Sequence, residues 1–259
     1  TPNHQRTPDV AADANGNFVV AWTGDGQGIV ARRFDRTGAP VGGEFVVHSF
    51  TAGPAEMPRV DVDGSGAFVV VWGSRRFLPY FNYGIFGQRY DASGTPRGAE
   101  FRANDAVNGG QQWPAVATDA EGRFVVAWES SSGLFAKRFD GAGIPLGSEF
   151  RVSVATTSVQ TRPSVDLDDI GNFVVAWTRA AVLGGNIGTI AAQRFEAAGF
   201  PLGTEFQVHT GITGGRWTPS VDAHASGEFT VAWSSYGEDG EPGGEGVNAD
   251  ITNWNLDKE

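Results

Sequence analysis

One phrase, P-x-V-x-x-D-x-x-G-x-F-V-V-A-W, recurs five times along this chain, opened by Pro8, Pro58, Pro114, Pro163 and Pro219 and closed by Trp22, Trp72, Trp128, Trp177 and Trp233. Successive copies lie 50, 56, 49 and 56 residues apart in both the Pro and the Trp series. A period of that size marks supersecondary units that bury their apolar faces only against one another. A second phrase, R-F-D-x-x-G-x-P-x-G-x-E-F, follows in the first four copies at 33–45, 89–101, 138–150 and 194–206. The units are 7–54, 55–110, 111–160, 161–215 and 216–259, read together as one domain over 1–259.

Each unit predicts four short strands, placed in the first copy at 8–13, 18–22, 29–34 and 44–48. Between the first two, Asp13-Ala14-Asn15-Gly16 supplies an Asp for a local hydrogen bond and a Gly for positive φ, which is hairpin chemistry. The 37 glycines, about twice the average share, leave little room for long helices. The second strand has no polar alternation, so both of its faces must be covered. Four-stranded antiparallel sheets stacked face to face around an axis meet that demand, predicting an all-β, five-bladed β-propeller. An open stack of the same sheets covers the strands equally well. Arg33, Arg89, Arg138 and Arg194 each precede a glutamate, Glu44, Glu100, Glu149 and Glu205, by 11 residues, which reads as cross-strand ion pairs. In the fifth copy Ile251 takes the arginine's place and no E-F strand follows, so the last blade is incomplete or is closed by the N-terminal residues 1–6.

The repeat resembles the F-V-V-x-W arrays of large secreted bacterial proteins, which implies a propeller-like module beside adhesin or hydrolase domains, outside the cell or at its surface. The number of units is similar to that of tachylectin-type five-bladed lectins, a likeness of blade count and length. Sialidase Asp-boxes are a weaker match, since their S-x-D-x-G is D-x-x-G here.

Thr1 rather than Met opens the chain, which reads as an excised or processed part of a larger multidomain protein. No apolar run reaches the roughly 18 to 20 residues of a membrane helix, so no membrane insertion is expected. A net charge of −11 argues against a nucleic-acid partner. Residues 236–259 alone hold seven acidic side chains against Lys258. The absence of cysteine removes disulfides, thiolate metal sites and cysteine nucleophiles.

If the first strand runs downward, the near-identical turns lie at the bottom, while the loops after the second strands and the connections between units lie on top. The top loops differ, and varied loops on a constant scaffold are where recognition is expected. Arg75, Arg76, Phe77, Tyr80, Phe81 and Tyr83 crowd one such loop. Trp113 and Trp217 sit just before the first strands of their copies, where the others have Thr7, Met57 and Arg162, and Tyr236 lies in the last long loop. Such rings suit stacking on sugars or anchoring a protein partner; the bland reading is that they cap the core beneath them.

The Asp-containing turns raise calcium, which wants six to eight oxygens. Free exchange at equivalent turns (Asp61, Asp63 and Ser65; Asp166, Asp168 and Asp169; Ala11, Asp13 and Asn15; His224) favours turn capping, and no cofactor is expected. His48 and His209, where other copies have Asn104 and Ser153, read as polar surface on the fourth strand, and His4 is isolated. The sequence ranks first a non-enzymatic extracellular module that binds a glycan or protein surface, then a structural or display array. A polysaccharide hydrolase or lyase using Asp61, Asp166 or Asp222 comes third.

Overall fold

The computed structural model describes residues 4–49, 53–77, 82–106, 109–154, 158–181, 188–209, 215–224, 227–235 and 251–254. Among them every regular element is a strand. The first sheet runs β1 (Gln5–Ala12), β2 (Phe18–Gly24), β3 (Gly28–Phe34), β4 (Phe45–Val46), each antiparallel to the last. The second is β5 (Ala55–Val62), β6 (Phe68–Phe77), β7 (Asn82–Tyr90), β8 (Phe101–Arg102), and the third β9 (Gln111–Thr118), β10 (Phe124–Ser130), β11 (Gly133–Phe139), β12 (Phe150–Arg151). The fourth is β13 (Ser158–Leu167), β14 (Phe173–Ala181), β15 (Gly188–Phe195), β16 (Pro201–Gln207). The fifth has three described strands, β17 (Arg216–Ala223), β18 (Phe229–Ser235) and β19 (Ile251–Trp254).

The chain divides into two compact units, residues 1–131 with 136–149 and residues 132–135 with 150–259. In the first, Val19, Ala21, Ile29 and Ala31 pack on Val60, Phe68, Val70 and Trp72 of the next sheet. In the second, Val174, Ala176, Ile190 and Ala192 pack on Val221, Phe229, Val231 and Trp233. Within each unit, one face of a sheet thus meets the Trp-bearing face of the sheet that follows it. The Phe–Val–Val–x–Trp stretches of β6, β10 and β14 are buried on both faces, as their unbroken apolar pattern requires. In β2, however, Phe18 and Val20 are only half-buried, and in β18 Thr230 and Ala232 are.

The predicted fourth strand at 44–48 shrinks to Phe45–Val46. Its ladder is continued instead by Val47 N–H donating to Ile29 O (2.9 Å) and by Ile29 N–H donating to His48 Nδ1 (3.3 Å). Asn104 Oδ1 accepts from Ile85 N–H in the same way at 2.8 Å. His48 and His209 are therefore buried rather than polar surface, each about 7% exposed. An imidazole or amide here substitutes for a missing strand carbonyl, which explains the exchange of His48 for Asn104; Ser153 instead donates to Gln160 Oε1.

The expected Arg–Glu hairpin pairs are likewise corrected. Arg33 donates to Ala92 O and Arg89 to Ala142 O, both in the bottom turn of the following sheet. The glutamates reach the other way: Glu100 accepts from Ser49 N–H (2.9 Å), Glu149 from Asp105 N–H (2.6 Å) and Glu205 from Val154 N–H (3.0 Å). Eleven residues placed both charges on one hairpin, but neighbouring sheets offer them unpaired backbone groups, which are costly to leave unmet. Of the residues 1–6 expected as a clasp, 1–3 lie outside the described residues. Gln5 and Arg6 pair with Gly24 and Thr23 as part of β1, so they serve the first sheet.

The turn aspartates do what the sequence suggests. Asp13 Oδ1 accepts N–H groups of Asn15 (2.8 Å) and Asn17 (2.9 Å), and Asp35, Asp63, Asp91, Asp119, Asp140 and Asp168 repeat the pattern.

Candidate functional site

Each inner strand carries an X-Pro step near its upper end, and each breaks register with its neighbour there. The residue before proline is left-handed in all five: Thr7 at φ 48°, Met57 at 57°, Trp113 at 51°, Arg162 at 55° and Thr218 at 50°. Proline offers no ladder donor and its ring restricts the residue before it. A non-glycine residue at such φ costs about 1–3 kcal/mol, and a bulge re-aims the side chains around it. The strain is repeated at five positions with four different side chains, so the backbone device is constant and its chemical load is what varies.

In the first unit that load is richest on β9. Gln111 is buried and its Oε1 accepts from Trp128 Nε1 at 2.8 Å, pinning the strand to the core. Gln112 Nε2 donates to Glu129 Oε1 at 3.1 Å, holding a half-buried carboxylate at the end of β10. Trp113 follows, half-buried on the bulge. Glu56 occupies on β5 the position Gln112 takes on β9. On β1 the corresponding Arg6 lies 3.4 Å from Asp25, and Thr7 meets Thr23 through their hydroxyls at 3.1 Å.

Of the loop residues singled out from sequence, Arg75 and Tyr83 come together, the guanidinium 5.2 Å from the ring centroid. They do not sit on an open loop, because β6 and β7 continue past Trp72 and pair Ser74 with Gly84 and Arg75 with Tyr83. Aromatic residues favour strand, and that extends the hairpin. Arg76 and Phe77 lie within β6 with side chains outside the described residues, and Tyr80, Phe81 and Tyr236 lie outside them altogether. Trp113 and Trp217 are inside strands β9 and β17 rather than ahead of them, and they are not equivalent: Thr218, not Trp217, holds the bulge position. Glu129, Gln112 and Glu56 were missed. Aligning the five copies would have exposed Glu129, since the other copies have Thr23, Gly73, Thr178 and Ser234 there.

The inner-strand aspartates proposed for catalysis are corrected. Asp61 Oδ2 accepts Thr118 N–H (2.6 Å) and Oγ1 (2.8 Å), Asp9 accepts Val60 N–H (2.8 Å), and Asp166 accepts Ala223 N–H (2.7 Å). They cap the free edge of the following inner strand, while Asp222 is exposed with its Oδ2 4.0 Å from His224 Nδ1. Burial raises the pKa of Asp61 and of Asp9 above the ordinary carboxylate value. Hydrogen bonds, chiefly from Asn17, Thr37 and Ser93, lower those of Asp13, Asp35 and Asp91. The signs oppose each other. A raised folded-state pKa favours the fold below the ordinary value and loses that contribution as pH climbs; a lowered one contributes above it and is lost on acidification. The melting temperature of Asp61→Asn relative to the native chain is therefore expected to rise from about pH 4 to pH 7, whereas the deficit of Asp91→Ala is expected to hold above about pH 4 and to shrink as the pH falls below it; a pH-independent difference across its own window refutes either assignment.

No family model matches the chain, and no curated protein matches its sequence. Solved structures do match. An endo-arabinanase of family GH43 from Bacillus licheniformis is 14% identical, with a TM-score of 0.51 over 96% of this chain and 93% of that one. An endo-arabinase from Bacteroides thetaiotaomicron is 13% identical, with a TM-score of 0.56 over 95% and 93%. A polysaccharide lyase of family PL25, an ulvan lyase, is 12% identical, with a TM-score of 0.64 over 99% of this chain and 72% of that one. At these identities the likeness is one of fold. It overturns the leading sequence reading of a non-enzymatic binding module, because the fold is one that polysaccharide-cleaving enzymes use.

Proposed function

We propose that the protein is a polysaccharide-cleaving enzyme, its five sheets the blades of a β-propeller, acting outside the cell. The observation that supports this most is the Gln112–Glu129 bond beside a tryptophan held on a strained bulge. Cleaving a glycosidic bond needs a carboxyl group or comparable acid–base group whose orientation is fixed, and Gln112 fixes Glu129. A flat apolar ring next to it is a stacking surface for a sugar. Hydrolysis requires a second carboxylate, for which Glu56 on the adjacent inner strand is the candidate; elimination requires a base and a uronate substrate.

The test is incubation with arabinan, xylan and ulvan, following reducing ends and, separately, the ultraviolet absorbance of unsaturated uronates. Product from at least one polymer is expected, with Trp113→Ala raising KM about tenfold while kcat changes little, as loss of a stacking surface would do. Absence of product from every polymer, or an unchanged KM in the variant, refutes the reading.

A further inference from the structure

In four places the outer-strand phenylalanine of one sheet seats on an aromatic position of the next. Phe45 lies 5.4 Å from Tyr90, and Phe101 lies 5.7 and 5.2 Å from Phe124 and Phe139. Phe150 lies 6.3 and 5.5 Å from Phe173 and Phe195, and Phe206 lies 6.4 Å from Phe229. Three of the receiving sites are stacked pairs, Phe68 on Tyr90, Phe124 on Phe139 and Phe173 on Phe195, and the first sheet has the same pair, Phe18 on Phe34 at 4.9 Å and 8°. Around that pair the face is uncovered. Val10 is 61% exposed, whereas its equivalents Val60, Val165 and Val221 are 4%, 6% and 8% exposed and Val116 is half-buried.

A second, polar observation concerns the same edge. Glu100, Glu149 and Glu205 each accept a backbone N–H from the residue four positions beyond the docked phenylalanine of the preceding outer strand, namely Ser49, Asp105 and Val154. Glu44, their counterpart in the first sheet, is exposed and makes no such bond among the described residues. The missing occupant is thus defined twice over, by an aromatic seat and by a carboxylate aimed at a backbone donor.

We propose that this face of the first sheet is a docking surface for one more outer strand of the same repeat, an extended Gly-x-Glu-Phe-x-Val segment supplied from outside the sheet. Its Phe covers Phe18 and Phe34, its Val covers Val10 as Val208 joins Val221 in the last core cluster, and a backbone N–H beyond it meets Glu44. Burying one Phe and one Val on a preformed face suits a weak, specific contact.

The probe is a peptide of residues 203–211, Gly-Thr-Glu-Phe-Gln-Val-His-Thr-Gly, titrated into the intact 259-residue chain by fluorescence anisotropy. Saturable binding below about 1 mM is expected. Replacing the peptide's Phe206 by Ala, or the protein's Val10 by Asp, is expected to weaken it at least tenfold; Glu44→Ala is expected to weaken it several-fold. Val10 and Glu44 are exposed, so these variants retain the fold, which circular dichroism checks. No saturable binding at that concentration, or equal binding to Val10→Asp, overturns the proposal. Either outcome is independent of whether the chain cleaves polysaccharide.

Discussion

Glu129→Gln is expected to lower kcat for polymer cleavage by about 100-fold or more while leaving KM near its native value. General acid–base catalysis contributes about 10²–10⁴ in rate, and glutamine keeps the shape and the contact with Gln112 while losing the titrating proton. The assignment gives Gln112 a separate signature. Gln112 positions the carboxylate through its 3.1 Å bond without meeting the substrate itself. Gln112→Ala should therefore cut kcat less and displace the pH profile, whereas Gln112→Glu, a like charge at hydrogen-bond distance, should move the profile toward higher pH. A Glu129→Gln variant with native kcat removes the carboxylate from the mechanism.

Trp128→Ala is expected to destabilise the chain by about 3–5 kcal/mol, the range for emptying a fully buried large aromatic site. Trp128 is 0% exposed, as are Trp72 and Trp177. A subtler comparison separates packing from polarity. Trp128 Nε1 donates to Gln111 Oε1, while Trp72 Nε1 is buried without an acceptor among the described residues. Phenylalanine at position 128 loses that bond, whereas phenylalanine at 72 removes a donor that was already unmet. Trp128→Phe should therefore cost about 1–2 kcal/mol more than Trp72→Phe, measured as the difference in urea or thermal denaturation. Equal losses mean that the indole–amide bond contributes nothing net.

The repeat was legible because its signals are local. Asp–Gly turns, an unalternating apolar strand and punctuating glycines each act within a few residues, so the four-strand unit followed from spacing alone, although the length of its last strand did not. The site was less legible. The tryptophan on β9 stood out as a large ring in a variable position, yet its neighbour Glu129 matters only because Gln112 faces it across a strand pair. Residue type gave no warning of that register. The inner-strand aspartates misled for the converse reason: a carboxylate three residues past proline is chemically suited to catalysis, and only the adjoining sheet shows that Thr118 and Ala223 occupy it.

The sequence by itself determined the strand order, the turn chemistry and the need to cover the Trp-bearing strands on both faces, since these depend on side-chain pattern along one segment. Tertiary structure decided where charge went. Whether Arg33 meets Glu44 or Ala92 O, and whether Asp61 holds a proton or an amide, depends on which unpaired backbone groups a neighbouring sheet presents. It also decided which faces lack a neighbour: Val10 and Val60 sit in nearly identical phrases, one open to solvent and one in the core. Burial is a property of what lies opposite, and no residue carries that information in its own identity.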